Sequence, residues 1–66
     1  MEISVNGQAR QVPEGTTVAA LLEELGLAGK PVAVEVNLDL VPRERHAEHH
    51  LVPGDRLEIV TLVGGG

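Results

Sequence analysis

Arg56-Leu57-Glu58-Ile59-Val60-Thr61-Leu62-Val63-Gly64-Gly65-Gly66 closes the 66-residue chain, and its reading decides the fold. Leu57 and Ile59 fall on one face of a strand with period two, and Glu58, Val60 and Leu62 on the other. Three glycines follow, and no residue stands after them. Inside a chain such a run reads as a linker. At an end it reads as an arm, because glycine has no Cβ and can thread a channel too narrow for any side chain. Fully extended, residues 64–66 span about 10 Å at about 3.3–3.6 Å each, enough to carry a terminal carboxylate from a domain edge into a partner's active site. Chain ends are commonly loose and cloning remnants Gly-rich. Here no serine, affinity tag or protease site accompanies the glycines. The expectation is a folded unit over residues 1–63 and a flexible tail over residues 64–66, with the chemistry at Gly66.

A strand ending in such an arm needs a sheet to sit in, and the upstream sequence supplies one. Ile3 and Val5 alternate with Glu2 and Ser4, Asn6-Gly7 is a hairpin signal, and Gln8 to Val12 reads as the returning strand. A two-residue loop sets Val5 against Gln8 and Ile3 against Arg10, apolar against polar, so a bulge or longer loop is an alternative. Pro13-Glu14-Gly15 ends the hairpin, and Thr16-Thr17 offers hydroxyls to cap a helix. Val18, Leu21, Leu22 and Leu25 form the apolar stripe of that helix over residues 18–25. Gly26 then suits its C-terminal left-handed position, with Leu27 making the accompanying contact. Val32 to Asn37 is a strand, residues 37–39 a turn, and Leu40-Val41-Pro42 an edge segment. Residues 43–50 are polar, with room for one helical turn. Leu51 and Val52 are expected to return to the core, and Pro53-Gly54-Asp55 to turn into the last strand.

Composition excludes several function classes. No cysteine is present, so disulfides, thiolate metal sites and cysteine nucleophiles are absent. Without Phe, Tyr or Trp the core is aliphatic, and there is no platform for stacking bases. Ten acidic against five basic residues give a net charge of −5. That balance argues against nucleic acid and for a basic protein surface as partner. No signal-peptide pattern or apolar run of about 20 residues occurs, so a cytoplasmic protein without membrane contact is expected.

Glu23 and Glu24 could be taken for an acid/base pair, but adjacent helical residues do not face each other, and a solvated face is the expectation. His46, His49 and His50 stand at i, i+3, i+4. A metal there needs a third ligand and oriented partners that nothing specifies, so surface or half-buried histidines are expected. No P-loop, nucleophile elbow, HExxH or dinucleotide fingerprint occurs. The apolar Val60 and Leu62 mark either a sheet underside packed on a loop or a docking patch.

The order strand, strand, helix, strand, short strand, turn, strand fits an α+β, ubiquitin-like β-grasp roll: a mixed sheet of four to five strands with one main α-helix on one face. With Val34-Glu35-Val36-Asn37, Val41-Pro42-Arg43, residues 54–60 and the final Gly65-Gly66 in this order, the chain resembles the thiamin-biosynthesis sulfur carrier proteins, the ThiS family, over essentially its whole length. Three positions depart from the family pattern. Leu38 stands in a turn where members often have Gly, His46 stands where an aromatic often follows Pro-Arg, and the tail has three glycines where two suffice.

The resemblance implies that the Gly66 carboxylate is adenylated by an ATP-using, ubiquitin-activator-like enzyme, converted to a thiocarboxylate by a sulfur donor (a cysteine desulfurase or persulfide protein), and delivered to thiazole synthase. It implies no bound cofactor and no catalysis by the chain itself. Gly64 and Gly65 become the threading arm, and Val60, Leu62 and Val63 the docking residues. Carriage of sulfur for molybdopterin or tRNA thiolation, ubiquitin-like modification of lysines through the same carboxylate, and a plain binding module are the alternatives.

Overall fold

Asn6 and Gly7 take φ values of 50° and 83°, the left-handed pair that a type I′ hairpin turn requires. The turn joins β1 (Glu2–Val5) to β2 (Gln8–Gln11) in the computed structural model, which describes residues 1–62. The expected acceptor Gly66, the arm residues Gly64 and Gly65 and the docking residue Val63 lie outside the described residues.

Val5 is opposite Gln8 and Ile3 opposite Arg10. The two-residue register therefore stands, with neither a bulge nor a longer loop. Arg10 is tolerated beside buried Ile3 because a long side chain can lay its aliphatic stem over apolar surface, while its guanidinium reaches Glu24 at 3.3 Å. Val12 falls just past β2, buried, with its N–H on Met1 O at 2.9 Å.

Helix α1 (Val18–Glu24) buries Val18, Leu21 and Leu22, the stripe expected from their spacing. Thr17 is its N-cap, Oγ1 accepting from Ala20 N at 3.1 Å. Two further first-turn donors go outside the helix, Val18 N to His49 O and Ala19 N to His46 O. The start of the helix is thus satisfied by the polar 43–50 segment. At its other end Leu25 is the cap residue, Gly26 has φ 75°, Gly26 N donates to Glu23 O and Leu27 N to Leu22 O. Those two bonds are the Schellman pair.

β3 (Val32–Val36) and β4 (Asp39–Val41) form a second two-residue hairpin, with Asn37 at φ 51° and Leu38 at φ 74°. An L-residue there is held against Cβ repulsion worth about 1–2 kcal/mol. Leu38 is 88% exposed, so it gains little burial in return. Leu38→Gly is expected to raise stability by about 0.5–1 kcal/mol, the relief being partly offset by the freer unfolded chain. A urea midpoint that stays put or falls would contradict this.

A 3₁₀ turn, Arg43–Arg45, follows β4. His46, expected at or near the surface, is instead only 7% exposed. Its Nε2–H donates to Val41 O at 3.0 Å, so the ring is held inside by a backbone acceptor. Leu51 is buried as expected, whereas Val52 is exposed. Val52 opens the turn through Pro53 and Gly54, where its O accepts from Asp55 N and its N–H donates to Asp55 Oδ2 at 2.9 Å. That geometry turns its side chain away from the core.

β5 (Arg56–Thr61) runs in the middle of a five-stranded mixed sheet, in the order β2-β1-β5-β3-β4. It is parallel to β1 and antiparallel to β3. Leu57 and Ile59 join Ile3, Val34 and the helix residues Val18 and Leu21 in one aliphatic core. With α1 packed on one face of the sheet, this is the β-grasp roll.

The open sheet face and the root of the tail as candidate functional site

Alternation sends the even residues of β5 to the side away from α1. Val60 lies opposite Ala33 of β3, Glu58 opposite Glu35, and Glu35 opposite Leu40 of β4. Val60 is 58% exposed, Leu62 52% and Leu40 65%. Val60 is not packed on a loop, whereas Leu62, just past β5, borders a groove with Ala19, Leu22, Leu27 and Pro31, beside the loop before β3. The sheet presents an uncovered face of aliphatic side chains around two carboxylates. Like charges directly opposite one another on a sheet destabilise it, and Glu35 and Glu58 are tolerated because both are exposed to water.

The strand beneath this face is braced from both sides by turn asparagines. Asn6 Nδ2 donates to Ile59 O at 3.1 Å, and Asn6 Oδ1 accepts from Ile59 N at 2.7 Å. Its side-chain amide thereby imitates one more backbone pair of the parallel β1–β5 ladder. On the opposite side, Asn37 Oδ1 accepts from Arg56 N and its Nδ2 donates to Asp55 Oδ1, both at 3.0 Å. Beyond β5, Leu62 N donates to Pro31 O at 2.8 Å. The root of the tail is fixed to the loop before β3.

These clamps were invisible to pattern reading, which assigned Asn6 and Asn37 to their turns alone. The available signal was that each hairpin opens on an amide when any left-handed residue would serve. Asn6→Gly keeps the turn and removes only the clamp. It should cost about 1–3 kcal/mol, two hydrogen bonds at about 0.5–1.5 each, read as a lower unfolding midpoint. An unchanged midpoint would mean that the clamp contributes nothing.

Glu23 and Glu24 are both exposed, and Glu24 is engaged by Arg10. Among the described residues no group of three or more His, Asp or Glu is placed to hold a metal ion. His46 is turned to Val41 O, and His50 Nδ1 lies 3.1 Å from Glu48 O. No helix of the described residues is long and apolar enough to cross a membrane. What the fold does offer is a rigid strand with an exposed apolar face, leading directly to the glycines.

The model of the ThiS family matches residues 3–66. The chain belongs to the ThiS family. It is 38% identical to the sulfur carrier protein ThiS of Escherichia coli (strain K12), over the full length of both. It is 46% identical to a thiazole synthase of Paramagnetospirillum magneticum, where the match spans all of this chain but only 20% of that protein. The chain thus has about a fifth of the length of some relatives and the whole length of others. Among solved structures, the crystal structure of the thiamine biosynthesis protein ThiS from Geobacter metallireducens superposes with a TM-score of 0.84 at 33% identity, covering all of both chains. The ThiS fold is therefore the β-grasp roll described above, and Leu38 and His46 are accommodated in it as the exposed turn residue and the buried ring.

Proposed function

We propose that the chain is a sulfur carrier protein that supplies sulfur for thiazole formation in thiamin biosynthesis, with the carboxylate of Gly66 as the atom group that is loaded. The observation that carries the proposal is the end-to-end match to a sulfur carrier protein of the same length. It is joined to a central strand whose exit is pinned at Leu62. Residues 1–63 serve as the folded body and residues 64–66 as the arm.

The chemistry follows from what a carboxylate lacks. It is a poor electrophile until its oxygen becomes a good leaving group. An ATP-using adenylating enzyme provides this: the carboxylate oxygen attacks the α-phosphorus and pyrophosphate departs. The terminal sulfur of a persulfide on a desulfurase or similar donor then attacks the carbonyl and AMP leaves. Cleavage of the S–S bond by a thiol yields the thiocarboxylate. The carrier contributes no acid, base or metal to these steps. It contributes position, holding an unhindered carbonyl at the end of a side-chain-free arm on a rigid body. Val60, Leu62 and Val63 form the apolar contact with the enzymes, and Glu35 and Glu58 fit a basic rim.

Thiazole synthase is the acceptor in this reading. Support comes from relatives of that name which contain a stretch similar to this entire chain, so that a carrier-like segment and a longer remainder share one polypeptide there. The setting is the cytoplasm.

The test is reconstitution with adenylating enzyme, persulfide donor and thiazole synthase from the same cell. Wild type should support thiazole formation, Gly66 deletion should reduce it to background, and Glu23→Ala should leave it unchanged. Formation of thiazole by the truncated chain would refute the assignment.

A further inference from the structure

A groove of about 620 Å³ runs between α1, the loop before β3 and the segment after β4, with Leu62 on its border. We infer that it is a docking site for an extended segment of a partner protein in which acidic residues stand beside aliphatic ones. The site stands whether or not Gly66 carries sulfur.

The lining is aliphatic and its walls are fixed. Leu22, Leu27, Val32 and Leu62 face the groove. Leu22 is buried, but Leu27 and Val32 are only half-buried and Leu62 is exposed, so apolar surface remains open to water. Backbone bonds hold each wall: Leu27 N donates to Leu22 O at 2.8 Å, Lys30 N to Leu27 O at 3.1 Å, Leu62 N to Pro31 O at 2.8 Å and Ala19 N to His46 O at 2.9 Å. A groove formed before its occupant arrives costs little ordering when it is filled.

The rim runs against the charge of the chain as a whole. The net charge is −5, yet Lys30 and Arg43 line the groove against a single acid, Glu23. Arg10 and Arg45 are engaged by Glu24 and Glu48, whereas Lys30 and Arg43 are exposed and in no ion pair among the described residues. The open sheet face carries Glu35 opposite Glu58 instead. A basic surface therefore suits the sheet, and an acidic one the groove.

A buried polar group narrows the occupant to a peptide. His46 is 7% exposed and lines the groove. Val41 O can only accept, so Nε2 carries a proton, and in the uncharged ring Nδ1 is an acceptor. Nδ1 has no partner among the described residues, and an occupant that satisfies it brings an N–H. An extended backbone supplies that N–H, its acidic side chains reach Lys30 and Arg43, and its aliphatic side chains cover Leu22, Leu27 and Leu62. A fatty acid would meet the lining and the cations but has no donor for His46.

The experiment titrates the isotopically labelled full chain with a blocked hexapeptide, acetyl-Glu-Leu-Asp-Ile-Glu-Leu-amide, and follows amide chemical shifts. The peptide should bind with a Kd of about 1 mM or below, moving the amides of Leu22, Lys30, Ala47 and Leu62 and leaving those of Leu40 and Val60 in place. The same peptide with lysine at each acidic position should bind about tenfold or more weakly. So should the acidic peptide with the Lys30→Glu, Arg43→Glu double variant, which should keep its unfolding midpoint because both side chains are exposed. Shifts confined to Leu40 and Val60, equal binding of the lysine peptide, or no shift at several times the expected Kd would each overturn the inference. Octanoate moving the groove amides at lower concentration than the peptide would also overturn it, making the groove a site for a small amphipathic anion. Sulfur loading at Gly66 is read separately, by mass, and neither result decides the other.

Discussion

Leu21→Ala is expected to leave the domain at the edge of unfolding at 25 °C. Leu21 is fully buried on α1, in the same cluster as Ile3, Val34 and Leu57. Truncating a buried leucine to alanine costs about 2–5 kcal/mol, because the transfer free energy is lost and the cavity only partly collapses. A 66-residue chain has about 3–10 kcal/mol to lose. No disulfide is available to hold the rest, and the core has no aromatic ring to repack into the space. Urea unfolding followed by far-ultraviolet circular dichroism should show the midpoint falling toward zero denaturant. A loss of less than about 1 kcal/mol would mean that the helix is not the element that closes the core.

The second large effect is expected where the fold loses nothing. Val60 is more than half exposed on the open face of β5, so Val60→Asp leaves the core intact and the unfolding midpoint within about 0.5 kcal/mol. It places a third carboxylate beside Glu58 and Glu35, in the middle of the apolar contact we assign to the adenylating enzyme. An interface centre that loses an aliphatic contact and must desolvate a new charge weakens by about 2–3 kcal/mol, roughly 30- to 150-fold in Kd. Titration of the adenylating enzyme with wild type and variant measures this directly. Equal affinities would move the docking surface off this face.

Much of this architecture was legible in the sequence because it is written in local chemistry. Asn6-Gly7 demands a type I′ turn, and the 18, 21, 22, 25 stripe with Thr17 before it and Gly26 after it specifies the helix at both ends. The exposed side of β5 followed from alternation alone. What could not be read locally came from pairing across the sheet. The insertion of β5 between β1 and β3 depends on a parallel contact between residues more than fifty positions apart. The same contact turns Asn6 from a turn former into a clamp on Ile59.

His46 and Val52 were misplaced for related reasons. A histidine in a polar run looks solvated until a carbonyl, here Val41 O, is found to receive its N–H. A valine beside buried Leu51 looks buried until Asp55 is found to hold its backbone in the turn. The 43–50 segment has no regular pattern of its own, yet its carbonyls complete the start of α1, which explains why an irregular stretch is kept in so small a domain.

The measurement that tests the central claim most directly is the intact mass of the chain after incubation with an adenylating enzyme, Mg-ATP and a persulfide donor from the same cell, followed by a thiol. The account predicts a gain equal to the exchange of one oxygen for one sulfur, absent when Gly66 is deleted. An unchanged mass, with an enzyme that loads another carrier under the same conditions, would contradict it.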